Sequence, residues 1–340
     1  MSETGLPMLP TMGVGPYAVP GWFIAMPPDL KSGRFGPHDI DEAVNDAVRV
    51  IVADQVDAGL DILSDGEVRR QRFVYEMYQH LTGLERIPAT RRLGISGYDQ
   101  APRFRATGPL AAPGGLHLVE EFRFLSAIAG GRPVKMAVPG PLTFAMSIVA
   151  DTRRPADIMA DISAILATEL AALSDAGCDR IQLDEPALPH PPFGLTPAHA
   201  AAPTADIFSG MSGYRGLHVC FGNNAGRPFA DRRMGRLREA MAATGADQLV
   251  LEFANREMAE VDILRDLASD FDIAAGVVDV KNYLVEGPDD VARRIDQVLA
   301  HVPAERLTTT ADCGFSALPR YIARQKMDAL VAGTRLVRGR

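Results

Sequence analysis

Cysteine is scarce in this chain, with Cys178, Cys220 and Cys313 the only three among 340 residues. An odd, widely spaced trio is no disulfide framework, and a reducing, cytoplasmic setting is expected. Positive charge is also short: 35 Lys and Arg stand against 43 Asp and Glu, a net charge of -8. Nucleic-acid surfaces depend on clustered basic residues, so that class of partner is not expected. No apolar run approaches membrane-spanning length, and Met1-Ser2-Glu3-Thr4-Gly5 has neither the basic nor the apolar region of a signal peptide. Neither secretion nor a membrane partner is expected. No glycine fingerprint of a dinucleotide or P-loop site sits at a strand-to-helix turn, which disfavours nucleotide binding.

What the chain does have is a 47% apolar content and a repeating rhythm of short apolar runs and amphipathic stretches. Residues 41–58 carry Val44, Val48, Ile51, Val52 and Val56 at helical spacing, with Gly59 placed to stop the helix. Residues 155–173 repeat the pattern with Ile158, Ile162, Ile165, Leu166, Leu170 and Leu173 behind a first-turn proline. Strands are expected near 60–64, 133–138, 179–183, 216–219, 248–251, 273–277 and 306–309, with a short one in the Pro- and Gly-rich stretch 9–23. Helices are expected near 116–128, 232–243, 259–268, 289–301 and 318–336. Residues 83–115 lose the rhythm and read as an irregular or hairpin insertion. About eight strands alternating with helices predict an α/β fold, a single (β/α)8 TIM barrel over 1–340 with an insertion after the second strand. A doubly wound open sheet is the runner-up.

In such a barrel, functional residues lie at the carboxyl ends of the strands. Glu67, Asp184, His218, Cys220, Glu252 and Cys313 each fall at or just past a predicted strand end. His218 and Cys220 are two apart, so a strand presents both to one face. Two thiols, an imidazole and a carboxylate suit a four-coordinate zinc ion better than magnesium or calcium, which want oxygen. Zinc next to a substrate thiol would activate sulfur rather than water. Glu67 and Asp184 would then face the same cavity and capture a substrate ammonium group, although a strand-end turn and a helix-start charge explain them equally well. Arg69, Arg70 and Arg72 follow on an expected helix, where they would either hold an anionic group or form a solvated face. Cys178, which precedes its expected strand on the amino-terminal side, reads as core packing.

The segments Gly15-Pro16-Tyr17-Ala18-Val19-Pro20-Gly21-Trp22, Ser64-Asp65-Gly66-Glu67, Val138-Pro139-Gly140-Pro141 and Ile181-Gln182-Leu183-Asp184-Glu185-Pro186-Ala187-Leu188 continue in Leu217-His218-Val219-Cys220, Gly276-Val277-Val278-Asp279-Val280-Lys281 and Asp312-Cys313-Gly314-Phe315. Together they resemble the catalytic barrel of cobalamin-independent methionine synthase and its single-barrel methyltransferase relatives, from about residue 9 to about 332. The resemblance implies a zinc-dependent S-methyltransferase of methionine biosynthesis. It implies Zn2+ held by His218, Cys220, Glu252 and Cys313, with Glu67 and Asp184 binding the amino group of homocysteine. The first loop, Gly15 included, would help hold the amino acid.

Two departures stand out. The family's first loop usually has a serine where this chain has Pro16 and a proline where it has Ala18. Full-length synthases also carry an additional barrel that helps bind the folate donor, and 340 residues leave no room for one. The expected methyl donor is therefore a corrinoid protein, methylcobalamin or methylfolate bound in a different arrangement. Two other readings compete: an epoxyalkane:coenzyme M transferase-like thiol alkyltransferase, and a uroporphyrinogen decarboxylase-like lyase or corrinoid-binding barrel. Coenzyme M carries a sulfonate and would call for Arg or Lys where Glu67 and Asp184 stand, and the decarboxylases do not need the His218, Cys220 and Cys313 set.

Overall fold

Apolar runs that alternate with amphipathic helices have to pair side by side, and the structure, a computed structural model, shows how they do so. It describes residues 5–26, 35–70, 74–91, 93–94, 99–223, 228 and 230–339. The strands are β1 (Thr82–Ile87), β2 (Arg103–Ala111), β3 (Met136–Pro139), β4 (Ile148–Val149), β5 (Arg180–Asp184), β6 (Tyr214–Val219), β7 (Gln248–Glu252), β8 (Asp272–Val278) and β9 (Leu307–Ala311). Six of them form a parallel sheet in the order β3-β5-β6-β7-β8-β9.

The two edges of that sheet meet through two segments too short to count as full strands. Thr11 bridges Thr309, Met12 bridges Ile62, and Leu63 bridges Val134, all in the parallel sense. The backbone bonds from Met12 N to Thr309 O (3.1 Å), Ile62 N to Thr11 O (3.1 Å) and Leu63 N to Pro133 O (2.9 Å) complete the ring. Eight positions around one axis make the expected (β/α)8 barrel. The strand expected at 60–64 is thus reduced to two bridging residues, Ile62 and Leu63, with Asp61 bonding Thr11 through both its backbone N and its side chain.

The helices pack outside by their apolar faces. Pro37–Ala58 starts earlier than its apolar periodicity suggests, since Pro37 sits in the first turn and Asp39 bonds back to Gly36 N. It ends where predicted, with Gly59 at φ 87° accepting the left-handed turn. Pro155–Asp175 buries Ile158, Ile162, Leu166, Leu170 and Leu173, each burial contributing about 1.5–3 kcal/mol. The expected helices at 232–243 and 259–268 are broken into short turns and single-turn helices, Met234–Leu237 with Arg238–Ala242 and Val261–Ile263 with Leu264–Leu267. A helix absent from the sequence reading, Pro197–Ser209, contains Pro203 and is capped by Thr196.

The insertion is an antiparallel hairpin of β1 and β2, to which β4 adds in parallel. Cys178 is buried, as expected for a packing residue. No helix among the described residues is long and apolar enough to cross a membrane.

Candidate metal centre

Register carries three of the expected residues to one rim. Asp184 pairs with His218 across β5 and β6, and His218 with Val250 across β6 and β7. Cys220 lies one residue past β6, Glu252 ends β7, and Cys313 lies two residues past β9. The ligand atoms of His218, Cys220 and Cys313 all fall within 4.8 Å of one another. The two sulfurs are 3.9 Å apart. Two thiolates on one tetrahedral zinc ion, each at about 2.3 Å, would stand ~3.8 Å apart, so the spacing fits that metal.

The imidazole is prepared for the same task. His218 Nδ1 lies 3.0 Å from the carbonyl of Val250, which directs the proton to Nδ1. Nε2 is left buried without a hydrogen-bond partner among the described residues. The thiols are polarised in opposite directions. Hydrogen bonding from Cys220, together with His218, holds Cys313 well below the usual thiol range, while its bond to Cys313, burial and the Glu252 charge push Cys220 up. Glu252 is fully buried at the adjoining strand end. Its Oε2 accepts from Lys281 Nζ at 2.8 Å, and its Oε1 has no hydrogen-bond partner among the described residues. An orphaned imidazole nitrogen beside two close sulfurs is what a bound cation would satisfy, whereas Glu252 is not among the groups gathered within 4.8 Å and pairs with Lys281.

Glu67, Asp184 and Gly15 also meet. A Cβ added to Gly15 would stand 3.2 Å from Glu67 Oε1 and 3.7 Å from Asp184 Oδ2, so the glycine leaves both carboxylates open. Glu67 sits at φ 53° after Gly66, itself at φ 65°. A Cβ on Gly66 would press to 2.8 Å from both Ile51 and Tyr17, which makes glycine necessary in this turn. A glutamate in the left-handed region is strained, and both of its oxygens are buried without hydrogen-bond partners among the described residues. Burial raises the pKa of Glu67 and of Asp184. His218 pulls Asp184 the other way, which couples this pocket to the candidate metal centre.

One buried network sets both Asp184 and the first loop. Lys135 Nζ donates to Gly13 O (2.7 Å), Val14 O (3.1 Å) and Gln182 Oε1 (2.6 Å). Gln182 Nε2 donates to Val14 O (2.9 Å) and Asp184 Oδ1 (2.6 Å). Burial lowers the Lys135 pKa to about 8. The loop is tied on its far side as well, where Ser316 N donates to Pro16 O at 3.1 Å.

The arginines expected either to hold an anion or to form a solvated face do something else. Arg70 is buried on a short helical turn, Val68–Arg70, 3.2 Å from Glu121, 3.9 Å from Glu67 and 4.0 Å from Asp65. Three carboxylates already surround it, so it offers nothing to an anionic substrate. Arg69 bonds Asn45 and lies over the Phe124 ring, and Arg72 lies outside the described residues. The pocket therefore has an excess of acid, which favours a cationic ligand group.

That excess has a measurable consequence. Burial lifts Glu121 and Glu185 to about 7 each, so the folded chain holds their protons where the unfolded chain has released them. Between about pH 4.5 and pH 7 the folded state binds more protons, and stability contributed by these groups falls as pH rises. We expect the urea midpoint of the metal-free protein to be higher near pH 5 than near pH 7.5. A midpoint that climbs across this window would contradict the assignment.

Sequence reading missed the groups that position the ligands. Asp312 accepts from the backbone of Phe253 (2.8 Å), Ala254 (2.8 Å) and Asn255 (2.6 Å) and from Asn255 Nδ2 (2.8 Å). It thereby ties the segment after Glu252 to the residue before Cys313. Its place next to Cys313 was the available signal. Lys281 ends the segment Gly276-Val277-Val278-Asp279-Val280-Lys281, but nothing in one dimension joins it to Glu252.

Residues 9–209 and 216–335 match the family model described as cobalamin-independent synthase, catalytic domain. The chain is 30% identical over 338 residues to a methionine synthase of Saccharolobus solfataricus, covering 98% of this chain and 96% of that one. It is 31% identical over 337 residues to a methionine synthase of Thermococcus kodakarensis, covering 98% and 94%. Its fold is similar to that of a B12-independent methionine synthase from a Shewanella species, solved in complex with selenomethionine, with a TM-score of 0.82, 26% identity and 98% of each chain covered. A family match over nearly the whole barrel, with relatives aligned almost end to end, places the conclusion beyond fold alone: this chain belongs to the cobalamin-independent synthase family, in its catalytic domain.

Proposed function

We propose that this protein, acting as one barrel catalytic unit, is a zinc-dependent methyltransferase that methylates the thiol of homocysteine to give methionine. The observation that carries the reading is the gathering of His218, Cys220 and Cys313 ligand atoms within 4.8 Å, beside a pocket where Glu67 and Asp184 converge on Gly15. Relatives named methionine synthase, and a similar structure that binds selenomethionine, agree with it.

His218, Cys220 and Cys313, with Glu252, would hold zinc, which would supply Lewis acidity favouring the ionised form of a neighbouring thiol at neutral pH. The protein's own groups do the rest. Glu67 and Asp184 accept charge-assisted hydrogen bonds from the substrate ammonium, and the glycine at position 15 gives that group room. The Lys135–Gln182 network fixes where Asp184 points. In the reaction the substrate loses its thiol proton, a carbon–sulfur bond forms, and the bond from the methyl carbon to its donor breaks with the electron pair leaving on the donor.

The test loads the full chain with zinc or cobalt and offers homocysteine, then coenzyme M, with methylfolate, methylcobalamin and a methylated corrinoid protein as alternative donors. About one metal per chain is expected, with a homocysteine-dependent change in the cobalt spectrum and methionine formed from at least one donor. No bound metal, or a spectrum that responds to coenzyme M alone, would overturn the reading.

A further inference from the structure

We propose that Glu121 is a positioning residue that holds the Arg70 guanidinium off Glu67, and so keeps the Glu67 carboxylate available to the substrate ammonium. The inference rests on the amine-pocket reading above and deepens it by naming what keeps that pocket open. Glu121 stands on the helix Leu118–Ile128, remote in sequence from the strand-end turn that carries Glu67 and Arg70.

Arg70 is a single cation among three buried anions. Its Nη1 donates to the carbonyl of Ala137 at 2.8 Å, which tethers one end of the guanidinium to β3. Nε stands 3.2 Å from Glu121 Oε2, whereas Nη1 is 3.9 Å from Glu67 Oε2 and Nη2 is 4.0 Å from Asp65 Oδ2. Arg70 and Glu121 are both buried, so little solvent screens the contest. Asp65 is partly committed, since its Oδ1 accepts from Glu67 N at 2.9 Å. Glu67 is the open rival. Neither of its oxygens, nor Arg70 Nη2, has a hydrogen-bond partner among the described residues. Arg70 N already donates to Glu67 O at 2.9 Å, so the two side chains spring from one turn and can close without moving the backbone. A buried pair of that kind would occupy the carboxylate meant for the ammonium.

Other charges near Glu121 are engaged elsewhere. Arg69, from the same turn as Arg70, bonds Asn45 and lies over the Phe124 ring. Arg49, from the helix Pro37–Ala58, lies over the same ring and pairs with Asp46. Glu169, from the helix Pro155–Asp175, accepts from Leu116 N, and His117 meets His80 at the start of Glu121's own helix. Among the described residues, Arg70 alone forms an ion pair with Glu121.

A protonated Glu121 no longer attracts the guanidinium, and Arg70 then closes on Glu67. Burial, opposed by the Arg70 charge, lifts the Glu121 pKa to about 7. The pocket therefore offers both Glu67 and Asp184 to an amine above that pH and loses Glu67 below it.

The experiment compares zinc-loaded full-length protein with its Glu121→Gln variant, which mimics the protonated acid at every pH. Near pH 8 the variant should show a homocysteine KM at least about tenfold above the parent's, with kcat within about threefold, because one charge-assisted hydrogen bond to the substrate is lost. Near pH 6 the parent's own Glu121 is protonated, and the KM ratio should fall to about twofold or less. Taking the ratio removes pH effects common to both proteins, such as thiol ionisation and proton competition at the metal. A crystal structure of the variant should show Arg70 hydrogen-bonded to Glu67. A carboxylate that only supports the fold gives a ratio that does not change with pH, and that result, an unchanged KM near pH 8, or an unmoved Arg70 would overturn the proposal. Glu121→Met takes the same role if the glutamine variant does not fold. Should neither fold, the parent's structure near pH 5.5 decides on the same Arg70–Glu67 contact. A parent protein that makes no methionine from any donor removes the amine-pocket reading itself, whereas an active parent with an unaffected variant removes only this inference.

Discussion

Replacing Cys313 with serine should leave a folded barrel that has lost at least about 100-fold in zinc affinity and with it nearly all thiol methylation. The magnitude is a lower bound, since loss of a group that only supports a ligand already costs 10–100-fold. A hydroxyl is a poor substitute for a thiolate on zinc. The fold should survive because Cys313 lies past the end of β9, on the rim, and is only half-buried. The backbone around it is held by Asp312, whose four hydrogen bonds do not involve sulfur. Elemental analysis beside circular dichroism checks both halves. A folded variant with its full metal content would remove Cys313 from the ligand set.

The second large effect belongs to the acidic pocket. Asp184→Asn or Glu67→Gln keeps the shape and deletes a charge facing the expected ammonium. Removing one partner of a buried charged hydrogen bond costs about 2–5 kcal/mol, or roughly 30-fold to several thousandfold in kcat/KM at ~1.4 kcal/mol per tenfold. The loss should be specific to substrates with an amino group. A thiol of the same length that lacks it should react poorly with the parent enzyme and change little, or improve, in the variants. Equal losses for both thiols would mean that the carboxylates shape the pocket and do not recognise charge.

How much of this was legible in one dimension depends on the kind of interaction. Residues placed by strand register were easy to find: Asp184, His218, Glu252 and Cys313 end apolar runs, and a parallel sheet brings such ends together. Elements held mainly by tertiary contacts were not. The helix Pro197–Ser209 is rich in alanine and interrupted by Pro203, so it lacks a clear apolar stripe. The strand around Ile62 and Leu63 reads as five residues by composition, yet Asp61 bonds Thr11 and Arg338 and shortens it. Arg70 looked solvent-facing because its three carboxylate partners come from a turn and from a helix some fifty residues away. Lys281 belongs to the same class, since an ion pair between two strand ends leaves no trace in either segment alone.

The closure of the barrel by single bridges at Thr11, Met12, Ile62 and Leu63 divides the rim into halves of unequal stiffness. The proposed metal ligands stand on or just past fully laddered strands, whereas Gly15 and Glu67 hang from the thinly stitched seam, where backbone bonding is sparse. The Lys135–Gln182 network therefore carries a share of the bracing there that backbone ladders carry on the opposite side of the rim.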